Sequence, residues 1–180
     1  MDKLYYYSKS ANKPVGKGVN EYIKDISKYK KLSEIKDWRK ILSNFHKYTF
    51  TYENKKYNSV EHAFQAKKIH IANPELAKNF ESDSKSDIGK GDGLVARKAR
   101  KLVILNKKQI KKWNEIKDEI MLNIWRAKYS QCDIAKEVLM ATNNAELWHG
   151  MPRSKPIRQT NLELVREELF QSSKIISKLV

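Results

Sequence analysis

KKQIKKWNEIKDEIMLNIWRAKY, residues 107–129, carries Trp113, Ile116, Ile120 and Ile124 at spacings of three and four. That stripe predicts one long amphipathic helix and sets the class of the chain as mainly α. Downstream, further helices fit 133–140 and 161–170. Upstream, the glycines of GKGDG (Gly89, Gly91, Gly93) break the chain before LVARKARKLV, and Asn73 with Pro74 opens a short helix, since proline is tolerated at the first helical position. Asn58 is the predicted N-cap of a helix running to about Ile71, with Glu61 three residues on as its capping-box partner. YTFTY (48–52) and Tyr57 flank the polar ENKK, a predicted hairpin. Leu4 to Tyr7 is β-prone, and SKSANKPVGKG after it reads as a loop. The expectation is a mainly α chain, α+β with a small N-terminal β element. The four prolines sit at separate connections and no repeat or linker appears, so one domain is expected over 1–180.

A chain of 180 residues can bury roughly 70% of its unfolded surface without disulfides or metal. Lys and Arg total 37 against 21 Asp and Glu, a formal +16. This excludes an acidic disordered chain and favours anionic partners. Cys132 is the one cysteine, so no internal disulfide forms, and the four scattered histidines give no zinc spacing. No metal or organic cofactor is expected. No run approaches 18 apolar residues and MDKLYYYSKS lacks a signal-peptide core, so no membrane association and a cytoplasmic or nuclear location are expected.

Chemistry concentrates in SVEHAFQAKKI (59–69). At 100° per residue, Glu61, Gln65 and Lys68 fall within about 60° of one another, beside an apolar face of Val60, Phe64 and Ile71. Two readings stand: a solvated helix edge with Glu61 as a capping residue, or an acid, an amide and an amine lined up at the core boundary. A structural Glu61–Lys68 ion pair is a further alternative. Lys117 and Lys128, eleven apart, share a face with Met121 and Ile124, so their ammonium groups either snorkel or face an anion. Arg97 and Lys98 are candidate phosphate donors. The glycine cluster lacks GxGxxG spacing and reads as a helix break. Tyr5, Tyr6 and Tyr7 must alternate faces in a strand, so at most two can serve one site.

SNF (43–45), EHxFQAxK (61–68), WxxxKxxxM (113–121), AKYxQ (127–131) and LxATxxAxL (139–147) occur in an order and spacing that resemble the NADAR superfamily, the YbiA-like N-glycosidases, over about residues 5–170. The resemblance implies a helical domain that hydrolyses the bond between C1 of a ribose and a nitrogen. Its implied substrate is ADP-ribosylated guanine in nucleic acid or nucleotide, with phosphoribosyl-amine intermediates of riboflavin synthesis as the alternative. It implies Lys68 as a nucleophile forming an imine with the opened ribose, an attack that needs a neutral amine, and Glu61 as proton shuttle or electrostatic partner. Ser8, Lys9, Ser10 and Asn44 are candidate pyrophosphate donors, Gln65 is a positioning group for ribose hydroxyls, and Phe45, His62 and Lys128 are further candidate substrate contacts. Beyond Leu147 the chain departs from the family, reading LWHGMPRSKPIRQ, with His149 where an acid is expected. Trp148 is either a base-stacking surface or a core aromatic, His149 a base reader or acid, and Arg153 and Arg158 candidate phosphate partners. The rival of another class is a non-enzymatic nucleic-acid or ADP-ribose binding module.

Overall fold

The structure, a computed structural model, describes residues 1–6, 11–150 and 154–179, with side chains described to residue 175. In chain order the elements are β1 (Lys3–Tyr6), α1 (Lys30–Glu34), α2 (Trp38–Leu42), β2 (Phe50–Tyr52), β3 (Lys55–Tyr57), α3 (Val60–His70), α4 (Pro74–Ala77), α5 (Asp87–Lys90), α6 (Gly93–Ala99), α7 (Lys107–Gln131), α8 (Asp133–Ala141), β4 (Glu146–His149), β5 (Ile157–Arg158) and α9 (Thr160–Leu179). The chain is mainly α with small sheets. It partitions into two compact units, the first made of Met1–Ser43 with Asp133–Val180 and the second of Asn44–Cys132.

In the first unit β4 is the central strand, parallel to β1 and antiparallel to β5. Leu4 and Tyr6 point inward from β1, joining Leu147 of β4 and Leu162 and Val165 of α9 in the core. Tyr5 lies on the other face, its ring stacked on Trp148 at 5.8 Å. Arg39 of α2 is 1% exposed and joins β1 to residues 13, 14 and 21. It donates to the carbonyls of Tyr5, Lys13 and Pro14 and to Glu21 Oε1 at 2.7 Å.

In the second unit the β2–β3 hairpin turns on Glu53 and Asn54, both with positive φ (48° and 61°). A two-residue turn of that handedness matches the right-handed twist of the strands. The helix predicted from Asn58 starts one residue later. Ser59 is the N-cap, accepting from His62 N, while Asn58 is recruited elsewhere by the Gly89 carbonyl and Thr49. Glu61 is therefore not the capping-box partner. α7 opens with a full capping box between Asn106 and Gln109 and buries Trp113, Ile124, Trp125 and Tyr129 along one face. Each such side chain contributes about 1.5–3 kcal/mol of apolar burial.

Candidate functional site

Residues of α3, α6, α7 and the segment after Asn44 assemble one polar cluster in the second unit. The segment is fixed from two sides. Glu61 N donates to the Asn44 carbonyl at 3.0 Å, while Asn44 Oδ1 accepts from Trp125 Nε1 at 2.9 Å and Asn44 Nδ2 contacts Met121 Sδ at 3.8 Å. Asn44 thus locks the start of α3 to the middle of α7, and its neighbour Phe45 meets α6. A Cβ on Gly93 would lie 2.6 Å from Phe45 Cα, so only glycine lets the first residue of α6 approach this closely. That approach carries Arg97, one helical turn later, to 5.8 Å from the Phe45 ring centroid.

Glu61, Gln65 and Lys68 lie along α3 at i, i+4 and i+7, one face of the helix. Glu61 is 8% exposed, and burial raises its carboxyl above the usual carboxylate range against the opposing pull of the Gln65 amide and of Arg97, Arg100 and Lys68. Gln65, 5% exposed, donates from Nε2 to Glu61 Oε1 at 2.9 Å. Its carbonyl oxygen is buried and accepts from no described residue. Lys68 is half-buried, and among the described residues no ion pair joins it to Glu61. Arg97 and Arg100 are exposed and make no ion pair with any described residue. The cluster therefore presents a protonatable carboxyl, a hydrogen-bond acceptor without a donor, an amine and two guanidinium groups.

His46 and Lys128 form the deeper side of the same unit. Burial of Lys128, 1% exposed, pushes its ammonium down to about 7. Burial, and then the Lys128 charge, push His46 down to about 4, so it is neutral at pH 7, and its buried Nδ1 has no partner. His62 is fully buried with both ring nitrogens engaged: Nδ1 pairs with Ser59 Oγ at 2.8 Å and Nε2 with the Ile88 carbonyl at 2.9 Å. Its ring anchors the α3 N-terminus to α5, so a substrate contact would have to displace one of these bonds.

Six of the residues singled out from sequence, Asn44, Phe45, Glu61, His62, Gln65 and Lys68, lie on the loop that meets α3 or on α3 itself, and Lys128 lies in the same unit. Trp148, His149 and Arg158 belong to the first unit. Trp148 Nε1 donates to Glu146 Oε2 at 3.0 Å, and the His149 ring stacks on Tyr6 at 5.1 Å. The Arg158 guanidinium is held by Glu146 at 3.0 Å and by Glu163 at 2.9 and 3.1 Å, so a phosphate there would compete with two carboxylates. Ser8, Lys9 and Arg153 lie outside the described residues. Sequence reasoning missed Arg100 and His46. The ARxxR-like spacing of Arg97 and Arg100 put both on one face, but only the fold shows that their charges act on Glu61. Among the described residues no group of three or more His, Cys, Asp or Glu side chains is placed to hold a metal ion, and no helix is long and apolar enough to cross a membrane.

Residues 27–155 match the family model of the NADAR domain, a span that includes every motif from SNF to LxATxxAxL. The NMR structure of the E. coli protein YbiA shares the fold with a TM-score of 0.55 at 22% sequence identity, over 77% of this chain and 80% of that one. No curated protein sequence matches the chain.

Proposed function

Because the chain belongs to the NADAR family, which includes N-glycosidases, we propose that it hydrolyses the ribose C1–nitrogen bond of ADP-ribosylated guanine, with Lys68 as nucleophile and Glu61 as acid and base. The observation that carries this reading is the buried Gln65 carbonyl, an acceptor with no donor, set on the helix between Glu61 and Lys68. A buried acceptor left empty costs about 1–3 kcal/mol. A ribose hydroxyl supplies the missing donor, and no apolar or purely anionic ligand would.

In this scheme the Lys68 nitrogen attacks C1 through its lone pair, the C1–N bond to guanine breaks, and the departing nitrogen takes a proton from Glu61. Burial favours the protonated carboxyl that this step requires. The ammonium formed on Lys68 gives one proton to the ring oxygen, the C1–O bond of the ring breaks, and a protonated imine remains between C1 and Lys68. Water, deprotonated by Glu61, then adds to C1, and the amine leaves to give ribose with a free anomeric centre. Arg97 and Arg100 are placed to pair with the pyrophosphate, and the Phe45 face, already packed by Arg97, offers a surface for a planar group. Asn44, Trp125 and Met121 act as positioning residues, since they fix the segment that carries Phe45 and the α3 N-terminus.

Purified protein incubated with an ADP-ribosylated guanine nucleotide should release the unmodified guanine nucleotide and free ADP-ribose. Glu61→Gln should slow release by about a hundredfold or more, the size of a lost general acid and base, without lowering the melting temperature. Release at the wild-type rate by Glu61→Gln, or none by the wild type, overturns the proposal.

A further inference from the structure

The segment from Lys90 to Lys112 holds nine cations, Lys90, Arg97, Lys98, Arg100, Lys101, Lys107, Lys108, Lys111 and Lys112, against the single acid Asp92. That difference is +8, half of the chain's +16 in 23 of its 180 residues. All nine are exposed. The segment includes α6, the turn Arg100–Leu102 and the start of α7, and two contacts set that start against α3. Gln109 Nε2 donates to the Ile71 carbonyl at 3.4 Å, and the Trp113 ring meets Phe64 at 4.9 Å. The four lysines at 107, 108, 111 and 112 thus begin where the Lys68 helix ends, while Arg97 and Arg100 lie close enough to act on Glu61.

The start of α7 also breaks a local rule. A helix carries partial positive charge at its N-terminus and favours acids there. α7 has no acid in its first turn and places four lysines in its first six residues. Cations at that end are unfavourable, a local conflict that recurs in proteins where a function demands it. An anion docked along this helix end would reverse the penalty.

We infer that this basic strip is a docking track for a single strand of nucleic acid, which delivers the modified guanine of the proposed reaction to the Glu61–Lys68 cluster. A membrane surface fits less well. Exposed Leu94 and Val95 precede the cations Arg97, Lys98, Arg100 and Lys101, and exposed Leu102 and Ile104 follow them, so apolar and charged residues succeed one another in blocks, whereas a helix lying on lipid needs them on opposite faces. A strand, whose phosphates repeat along its length, matches a run of cations spread over 23 residues.

The inference rests on the hydrolase reading for its destination but not for its test, which uses an unmodified strand and no turnover. Fluorescence anisotropy should show a 12-residue single-stranded DNA binding with a salt slope near −3.5 if about five phosphates are neutralised, a loss of roughly a hundredfold between 50 and 200 mM salt. Replacing Lys107, Lys108, Lys111 and Lys112 by Gln should flatten the slope by about 2 to 3, and four Arg at those positions should restore it. Replacing Lys24, Lys30, Lys36 and Lys155 of the first unit by Gln removes the same charge and should leave the slope unchanged. The α7 variant should still cleave a free ADP-ribosylated guanine nucleotide at the wild-type rate. Equal losses in the two variants overturn the inference in favour of net charge alone. Binding to phosphatidylserine vesicles at 150 mM salt without binding to the strand overturns it in favour of a lipid surface.

Discussion

The two units treat their buried polar groups differently. In the first, Arg39 is enclosed at 1% exposure but meets three carbonyls and Glu21, which itself accepts from the backbone of Tyr5 and Gly18. The Arg158 guanidinium is likewise shared between Glu146 and Glu163. In the second, two buried side-chain atoms, His46 Nδ1 and Gln65 Oε1, have no hydrogen-bond partner among the described residues. Size does not separate the two. A cavity of about 520 Å³ in the first unit is lined by Lys28, Lys31, Asp133, Lys136 and Glu137, yet Lys31 is already paired with Glu137 at 3.2 Å. A network complete by itself stabilises the fold, whereas one missing a partner is where a ligand finishes the pattern.

That contrast breaks most visibly at Arg39. Arg39→Ala leaves Glu21, whose side chain is 0% exposed, as an uncompensated charge, and should lower stability by about 3–5 kcal/mol in a denaturant melt. A loss below 1 kcal/mol would mean that the first unit does not depend on its completed network. The second unit should gain stability only with ligand. ADP-ribose at about 100 times its dissociation constant should add about 2.7 kcal/mol, a melting shift of roughly 5–10 °C. Ribose 5-phosphate at the same concentration should shift it less, because it offers one phosphate to Arg97 and Arg100. Equal shifts would favour a phosphoribosyl-amine substrate.

Acid should act on the second unit through His46. Its folded value of about 4 lies below the unfolded value near 6.5, so the unfolded chain takes up the proton first and stability falls as pH drops from 6.5 to 4. His62, also lowered, adds to that loss, while Glu61, raised, opposes it because the folded carboxyl protonates more readily. The loss should shrink by about 1–2 kcal/mol in His46→Asn, after discounting for partial exposure, as read from melts across that window. The smallest effect is at Gln65. Gln65→Leu relieves an unsatisfied acceptor but strips Glu61 of its amide donor, opposing changes that should leave stability within about 1 kcal/mol, while reducing the ADP-ribose shift by the worth of one hydrogen bond, about 0.5–1.5 kcal/mol. A large stability loss with the ligand shift intact would make Gln65 a core residue and not a ligand acceptor.

How much of this was legible in the sequence varied with the range of the interaction. α7 could be read because 25 residues repeat one period and its capping box is local. The hairpin showed in its turn residues. The α3 cap was misplaced by one position because Asn58, a good cap in isolation, is drawn to Gly89, 31 residues away. β4 was missed altogether: four residues carry little pattern, and its parallel partner β1 lies at the other end of the chain. α9 runs past the predicted end at 170 because no glycine or proline stops it. Within the site, the Glu61, Gln65 and Lys68 alignment followed from helix periodicity. Arg100 and His46 did not, since each acquires meaning only from packing: Gly93 against Phe45 for the first, buried Lys128 for the second.

The most direct test is covalent. Sodium borohydride added while the protein turns over an ADP-ribosylated guanine nucleotide should reduce the imine to a stable amine, and peptide mass mapping should place the ribosyl adduct on Lys68. Lys68→Ala should abolish both adduct and turnover with helical content unchanged. Undiminished turnover by Lys68→Ala, or an adduct mapped to another lysine, would contradict the assignment.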